Sequence, residues 1–327
     1  MGPITIVWPW IISDVVMLAA GIAVVWYIVK REPHPASRLI EVAAFTFLYA
    51  GIYENLATWI GWYEYGRSLI MFGNVPVAVL LYEAIVFYAG LKLMERLAVP
   101  AWIRPIGAGF LAVMQDFAID TLTTHQLATT QESATPIGHW TFLTPPTDVQ
   151  IYGEPVMNFS SWMFLVGVYA AFAVIGRWWH RRSGYARWVG IVYPLLAVIA
   201  SLGVLMSPLS RLVLFGRLGY DGAAWTEWPV ATPAQWWILG AFVFIPPLLI
   251  ALTWRGRFTG ELSPRRDWPI LAVLVGVPLF CVVAAVAGGM WDVLWLIALS
   301  TAAMAVLVGL PYVLAARAAH EPERAIA

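Results

Sequence analysis

Residues 268–314 read WPILAVLVGVPLFCVVAAVAGGMWDVLWLIALSTAAMAVLVGLPYVL and contain one charged side chain, Asp292. A transmembrane helix needs about 20 consecutive apolar residues, so this run is too long for a single crossing. Gly288 and Gly289 form the only good turn signal within it. The run therefore predicts two membrane helices, residues 268–287 and 291–314.

Apolar segments of similar length recur along the rest of the chain. Of its 327 residues, 61% are hydrophobic and only 12% are charged, whereas a water-soluble domain would carry about twice that charged fraction. We predict an all-α fold: a polytopic transmembrane helical bundle that forms a single membrane domain over residues 1–327. It has nine spans, or eight if residues 268–314 are divided differently. The other predicted spans are residues 6–28, 40–60, 75–93, 102–122, 157–178, 188–206 and 235–254.

Lys and Arg residues are distributed unevenly between alternate loops. All 19 except Arg67, Arg211 and Arg217 fall in one set of loops. Because cytoplasmic loops carry an excess of Lys and Arg, this bias predicts an outside N-terminus and a cytoplasmic C-terminus. The first span has no Lys or Arg before it and a basic cluster after it, so we interpret it as a retained anchor and not as a cleavable signal peptide.

Five polar side chains lie near predicted outer ends of the spans, namely Glu54, Asp116, Asp120, Glu154 and Asn158. Ionisable residues at membrane depth are costly and usually functional. The i, i+4 spacing of Asp116 and Asp120 places both carboxyl groups on one helix face, about 6 Å apart along the axis. Glu83 lies deeper in its span and is a further candidate acid. The structural alternative for each is a hydrogen bond between helices or solvation of a helix end.

Residues 123–156 form a long predicted outer loop without Lys or Arg, which includes His125, Glu132, His139, Trp140, Asp148, Tyr152 and Glu154. A connection of this length is usually a functional lid or disordered, and its aromatic content favours a packed lid. Trp62, Tyr63 and Trp140 fit either an interfacial aromatic belt or a substrate contact.

Metal and haem sites are not expected. The five histidines all lie at span ends or in loops, which argues against a membrane-embedded haem. His125, His139 and the acids match no compact zinc pattern. Asp116-x-x-x-Asp120 weakly suggests a magnesium–diphosphate site, but the predicted outer face has almost no Lys or Arg to hold diphosphate. We predict no metal and no cofactor.

Two blocks of sequence resemble a known family. The first block covers residues 54–76 and includes Gly61-Trp62-Tyr63-Glu64-Tyr65-Gly66 and Phe72-Gly73-Asn74-Val75-Pro76. The second block includes Asp116-Phe117-Ala118-Ile119-Asp120, His139-Trp140 and Tyr152-Gly153-Glu154-Pro155-Val156-Met157-Asn158-Phe159-Ser160-Ser161-Trp162. Together they resemble the integral-membrane carotenoid biosynthesis proteins, the family that contains the bacterial and archaeal carotenoid hydratases.

This resemblance covers about a third of the chain, residues 53–162. Thr121 stands where the family has Pro, and Trp62 and Glu64 replace smaller or basic residues. Residues 39–178 hold the motif-bearing helices and the loop of residues 123–156, while residues 186–317 form an apolar helical half without a recognised motif. We expect a location in the bacterial inner (cytoplasmic) membrane, where the loop charge places the acidic cluster near the outer face.

The resemblance further implies hydration of a terminal isoprenoid C=C by a carotenoid hydratase-like lyase. A carboxylic acid buried among apolar groups can act as the general acid, and aromatic faces can stabilise the carbocation. We expect Asp116 and Asp120 to form the acid–base pair, Glu54 to be their partner or the alternative donor, and Asn158 to orient water. The expected substrate-binding residues are Trp62, Tyr63, Glu83, Trp140, Tyr152, Glu154 and Trp162.

Three other functions remain open from the sequence. A membrane terpene cyclase also protonates a C=C or an epoxide. A pigment- or lipid-binding assembly subunit could keep the fold and the aromatic belt without catalysis. A proton-coupled transporter would place ionisable residues near the midplane and show repeated halves. The expected partners are membrane lipid and a hydrophobic isoprenoid or carotenoid substrate; the zero net charge gives no argument for nucleic acid, and no protein partner is indicated.

Overall fold

The computed structural model describes residues 6–130, 135–143, 149–215, 233–259 and 262–324, so Glu132, Asp148 and Arg217 lie outside the described residues. The fold is predominantly helical. The helices are α1 (Trp8–Arg31), α2 (Pro35–Ala43), α3 (Gly51–Trp59), α4 (Val77–Arg96), α5 (Ile103–His125), α6 (Val156–Arg182), α7 (Arg187–Leu205), α8 (Pro208–Phe215), α9 (Ala234–Thr253), α10 (Trp268–Leu271), α11 (Val277–Ala287) and α12 (Trp291–Arg324). The π-helical segments Ala44–Ala50 and Ala272–Gly276 join α2 to α3 and α10 to α11.

Helices of membrane-spanning length and composition account for seven of the nine predicted spans. By length and composition, seven helical segments of the described residues could cross a membrane: Trp8–Arg31, Val77–Arg96, Val156–Arg182, Arg187–Leu205, Ala234–Thr253, Trp268–Ala287 and Trp291–Arg317. The prediction of a helical membrane bundle is confirmed at this level. The other two predicted spans coincide with the helical run of residues 35–59 and with α5, which carry Glu54, Asp116 and Asp120.

The turn predicted within residues 268–314 is present. Gly288 and Gly289 form the turn between α11 and α12, and Gly289 has a φ of +67°. Glycine adopts this left-handed conformation without the steric cost of a Cβ. The long apolar run is therefore divided into two helices at the position that the sequence indicated.

The centre of the bundle is formed by α4, α5 and α6. Most residues in the most apolar stretch of α4 are buried inside the protein, whereas only 11% of the corresponding stretch of α9 is buried. Large apolar side chains on α9, such as Trp237 and Phe244, are exposed. In a membrane protein such a surface contacts lipid chains, so exposed apolar groups there carry no penalty from water.

Three short antiparallel strand pairs lie at one end of the bundle, here called the strand end. Strand β1 (Tyr63–Tyr65) pairs with β4 (Trp140–Phe142), β2 (Met71–Phe72) with β3 (Val75–Pro76), and β5 (Gln150–Ile151) with β6 (Glu154–Pro155). In the first pair Tyr65 lies opposite Trp140. The described residues of the loop 123–156 are thus packed onto the bundle by backbone pairing, with Trp140 buried.

The crossing of α5 and α6 depends on small residues. A Cβ added to Gly109 would lie 2.7 Å from the Met163 carbonyl oxygen and 3.3 Å from the Gly167 Cα. Small residues at such crossings let helix backbones approach closely in membranes. This close approach brings the acidic end of α5 against the first turn of α6.

We expect Gly109→Ala to lower the free energy of unfolding by about 1–3 kcal/mol, the usual cost of overpacking. Thermal unfolding in detergent, followed by tryptophan fluorescence, measures the change. Gly203→Ala on α7 is the matched control, because nothing lies within 4 Å of a Cβ added there and alanine is favoured over glycine in a helix by up to about 1 kcal/mol. Equal destabilisation by both substitutions would contradict a tight α5–α6 crossing.

Candidate active site

Two glutamates from adjacent helices face each other at the strand end. Glu54 of α3 and Glu83 of α4 are each only 3% exposed. Their carboxyl groups lie within hydrogen-bonding distance of each other. The Tyr53 hydroxyl donates a hydrogen bond to Glu83. The pair is therefore a hydrogen-bonded carboxyl dyad inside the bundle, and we call it the Glu54–Glu83 pair.

Strand β1 supplies further donors to this pair. The Tyr63 and Tyr65 hydroxyls donate hydrogen bonds of 2.9 and 2.6 Å to Glu54 Oε2. Alternate residues of a strand point to the same face, so both tyrosines point inward while Glu64 between them is exposed. Burial, together with the nearby Glu54 carboxyl, raises the pKa of both tyrosines well above the usual range. They therefore remain hydrogen-bond donors at neutral pH.

A second acidic cluster lies where α5 meets α6. Carboxyl oxygens of Asp116, Asp120 and Glu154 all lie within 4.8 Å of one another. The Asn158 Nδ2 donates a hydrogen bond of 2.8 Å to Asp120 Oδ2 and lies 3.4 Å from both carboxyl oxygens of Asp116. We call Asp116, Asp120 and Glu154 the triad. As the sequence spacing predicts, the two aspartates share one face of α5.

Glu154 reaches the triad because of a tight turn. Tyr152 and Gly153 between β5 and β6 both have a positive φ, +52° and +83°, and the turn directs the following Glu154 into the interior, where it is fully buried. The Thr124 hydroxyl lies 3.4 Å from Glu154 Oε1. Burial raises the pKa of Glu154 well above the usual range, and the charge of Asp120 adds to this effect.

A pocket opens beside the Glu54–Glu83 pair, with about 1050 Å³ of empty space that extends into the open surroundings. Its wall is mostly apolar and aromatic, as is usual for sites that bind hydrophobic small molecules. Glu54, Glu83 and Asn158 contribute polar groups, and Arg211 of α8 is a basic residue in the lining. The predicted aromatic contacts that line it are Trp62, Tyr63, Trp140 and Trp162.

A small cavity with room for about one water molecule lies next to this pocket. Asp120, Tyr65 and His139 line it, and Trp140 and Trp162 line both spaces. Asp116 and Glu154 border neither space. The structure thus separates the predicted acids: Glu54 and Glu83 face the large pocket, Asp120 faces the small cavity, and Asn158 lies between the two groups.

Tyr152 lies away from both spaces. It is 38% exposed, and its hydroxyl accepts a hydrogen bond of 2.6 Å from the Trp295 indole. Tyr152 therefore joins the turn before Glu154 to α12 and does not line either space.

His139 fixes the loop to the first helix. Its ring stacks on Trp10 with centroids 5.5 Å apart, and its Nε2 lies 3.6 Å from Asp14 Oδ1. Burial lowers the pKa of His139, while the nearby Asp14 acts in the opposite direction. The His139 carbonyl accepts a hydrogen bond from Gly66 N, so the same residue positions β4 against the segment after β1.

Some site residues were not indicated by the sequence. Tyr65 could have been found, because it lies two residues from Tyr63 in a strand and shares its face. Tyr53 lies one residue before Glu54, but only the packing of α3 on α4 shows that it donates to Glu83. Arg211 and Leu214 come from α8, in the half of the chain without a motif, so only tertiary packing places them in the pocket.

Comparison with known proteins gave no match to a family model, to a curated protein or to a solved structure. The resemblance to the carotenoid hydratases therefore remains an expectation from short motifs. The functional assignment rests on the chemistry of the two acidic groups and the pocket.

Adjacent serines of α6 allow the pocket to be tested. Ser161 lines the pocket, whereas Ser160 is 1% exposed and does not line it. In a Cys281→Ala background, we expect Ser161→Cys to react with a small maleimide at least about tenfold faster than Ser160→Cys, since buried cysteines are inert. Mass spectrometry of the labelled protein gives both rates. Similar rates at the two positions would exclude a pocket at this face of α6.

Proposed function

We propose that this protein is a membrane hydro-lyase that adds water across a terminal C=C of an isoprenoid or carotenoid. The observation that carries the proposal is the apolar and aromatic pocket that ends on the Glu54–Glu83 pair. An apolar wall suits the end of a hydrocarbon chain. The motif resemblance supports the same substrate class.

Protonation of the alkene is the first step. Two buried carboxylates so close together would repel each other, so the Glu54–Glu83 pair is stable when it shares one proton. That proton passes to the less substituted carbon of the C=C, and a tertiary carbocation forms at the other carbon. The faces of Trp62, Trp140 and Trp162 around the pocket stabilise this cation by cation–π attraction.

Addition of water completes the reaction. Because the Asn158 amide N–H groups are held by Asp120 and Asp116, its carbonyl oxygen is the group available to orient water. The water oxygen bonds to the carbocation, and the proton that it loses returns to the Glu54–Glu83 pair. The pair is thereby regenerated, so the protein needs no other reactant.

This assignment changes the roles expected from the sequence. From the sequence we expect Asp116 and Asp120 to form the acid–base pair, with Glu54 as their partner or the alternative donor. In the proposed reaction the two glutamates contact the substrate, and the aspartates act through Asn158. The pocket geometry favours this assignment of roles, because neither aspartate lines the large pocket.

The proposal includes nine spans with the strand end on the outer side of a bacterial inner membrane. The charge distribution supports this orientation. Lys92, Arg96 and Arg177 lie at the ends of α4 and α6 that are opposite the strand end, and basic residues concentrate on the cytoplasmic side.

The function is tested by expressing the protein in a host that makes lycopene-type acyclic carotenoids. Mass analysis of extracted pigments should show products heavier by one water. Glu54→Gln and Glu83→Gln should each lower product formation about 10²- to 10⁴-fold, the usual contribution of a general acid. The matched control, Glu64→Gln, changes an exposed glutamate of the same segment and should retain activity. Products of unchanged mass but new retention would indicate a cyclase, and unchanged pigments with acyclic carotenoids and linear terpenoids would refute the catalytic proposal.

A second comparison separates the glutamates from the aspartates. Asp120→Asn should reduce hydration only about 10- to 100-fold, as is typical when a group that orients another one is lost. The same pigment measurement, normalised to protein level, gives the order of the variants. If Asp120→Asn is as damaging as Glu54→Gln, or more so, the proton donor is Asp120 and the assignment to the glutamates is wrong.

A further inference from the structure

The triad is an acidic site without a basic counter-charge. Asp116 and Glu154 are fully buried and Asp120 is 2% exposed. Among the described residues, the acids that form ion pairs with Lys or Arg are Glu32, Glu41, Glu95 and Asp267, and Asp14 lies beside the His139 ring. No ion pair of these residues reaches the triad. Its three carboxyl groups must therefore be neutralised by protons or by a bound cation.

Two polar atoms at the triad favour a ligand. Glu154 Oε2 is buried and has no hydrogen-bond partner among the described residues, and the same holds for the hydroxyl oxygen of Thr121. Thr121 is fully buried and its hydroxyl interacts with the Glu154 carboxyl group, but no hydrogen bond of ordinary distance and angle joins the two side chains. Buried polar atoms are nearly always paired in native proteins. The Thr121 hydroxyl and Glu154 Oε2 therefore lie together at the carboxyl cluster without a well-formed hydrogen bond, and a bound cation would satisfy both oxygens.

The spacing of the triad oxygens fits a hard divalent cation the size of Ca²⁺, whereas Mg²⁺ would draw the oxygens closer together. Two ligands of one ion can be separated by at most twice the metal–oxygen distance, which is about 4.2 Å for Mg²⁺ and about 4.8 Å for Ca²⁺. The carboxyl oxygens of the triad fall within 4.8 Å of one another. Carboxylate and hydroxyl oxygens are the ligands that such ions prefer. We propose that Asp116, Asp120 and Glu154 bind a divalent cation of the Mg²⁺, Mn²⁺ or Ca²⁺ class, with the Thr121 hydroxyl beside it.

The surroundings of the triad fit this role. Asn158 donates to Asp120, and outer hydrogen bonds of this kind orient ligating carboxylates. Asp120 borders the small cavity, which provides space for water next to the ion. The sequence predicted no metal because the histidines and acids match no compact zinc pattern and the outer face lacks basic residues for a diphosphate. The turn between β5 and β6 brings Glu154 to the two aspartates.

The proposed ion does not depend on the hydratase reaction. It would join α5 to the segment before α6 and neutralise the triad, while the Glu54–Glu83 pair keeps its proton. The two acidic groups would thus have separate partners: a cation for the triad and a shared proton for the glutamates.

Binding is tested on the purified full-length protein after treatment with a chelator. Titration with Mn²⁺ alone, followed by the loss of the free-ion EPR signal, should show one site per chain, and Mg²⁺ or Ca²⁺ should compete. Glu154→Gln and Asp116→Asn should weaken Mn²⁺ binding at least about 10- to 100-fold. Asp14→Asn, which changes a buried acid outside the triad, is the matched control and should bind as the unmodified protein does.

A second measurement covers the case in which a variant folds poorly. Mn²⁺ should raise the unfolding temperature of the unmodified chain, because an ion that binds only the folded state stabilises it, and Glu154→Gln should lose this response. No Mn²⁺ binding at millimolar concentration together with no thermal shift would refute the site, as would unchanged binding by a folded Glu154→Gln protein. Pigment hydration that persists without Mn²⁺ binding rejects the cation alone, whereas Mn²⁺ binding without hydration rejects only the proposed reaction.

Discussion

Neutralisation of buried carboxyl groups is the constraint on which both ends of this bundle depend. A charge inside an apolar protein is costly unless it is paired. At the end opposite the strands, Glu41 is fully buried and its Oε2 accepts a hydrogen bond of 3.1 Å from Arg177; Arg177 also forms a 2.9 Å ion pair with Glu95. That end is a conventional salt-bridge network. The strand end buries more acids and pairs them with tyrosines, an asparagine and one another, which leaves their protons available for chemistry or their oxygens for an ion.

The short strands position the side chains that surround the buried carboxyl groups of the pocket. Pairing of β1 with β4 places Tyr63 and Tyr65 over Glu54 and brings Trp140 to the wall of the pocket. The tyrosine rings lie in edge-on or tilted contact with Trp140, with centroids 5.2 Å apart in both pairs. The same aromatic groups therefore exclude water from the carboxyl dyad and face the space that a hydrocarbon would occupy. A loop without this pairing would leave the acids open to solvent.

The sequence predicted the class of fold and most of the residues of the site, but not their grouping. Apolar run length and the Gly288-Gly289 turn depend on local sequence, and the structure agrees with both. The shared face of Asp116 and Asp120 follows from helical geometry alone. Whether Glu54 or Asp120 faces the pocket depends on how α3, α4 and α5 are packed, and Arg211 enters the lining from a short helix far along the chain. Such tertiary placement has no periodic signal in a single sequence.

Separation of the two acidic groups has a chemical consequence. A proton donor near a divalent cation would lose its proton, because a nearby positive charge favours the carboxylate. Asn158, Trp140 and Trp162 lie between the large pocket and the region of the triad. An amide and two indoles carry no net charge, so they divide the space without adding a charge to either acidic group, while Asn158 donates to Asp120. The charge of Asp120 still acts on both Glu54 and Glu83, and a cation at the triad would offset that charge. The same bundle can therefore keep a shared proton on the glutamates while Asp116 and Asp120 serve as carboxylates.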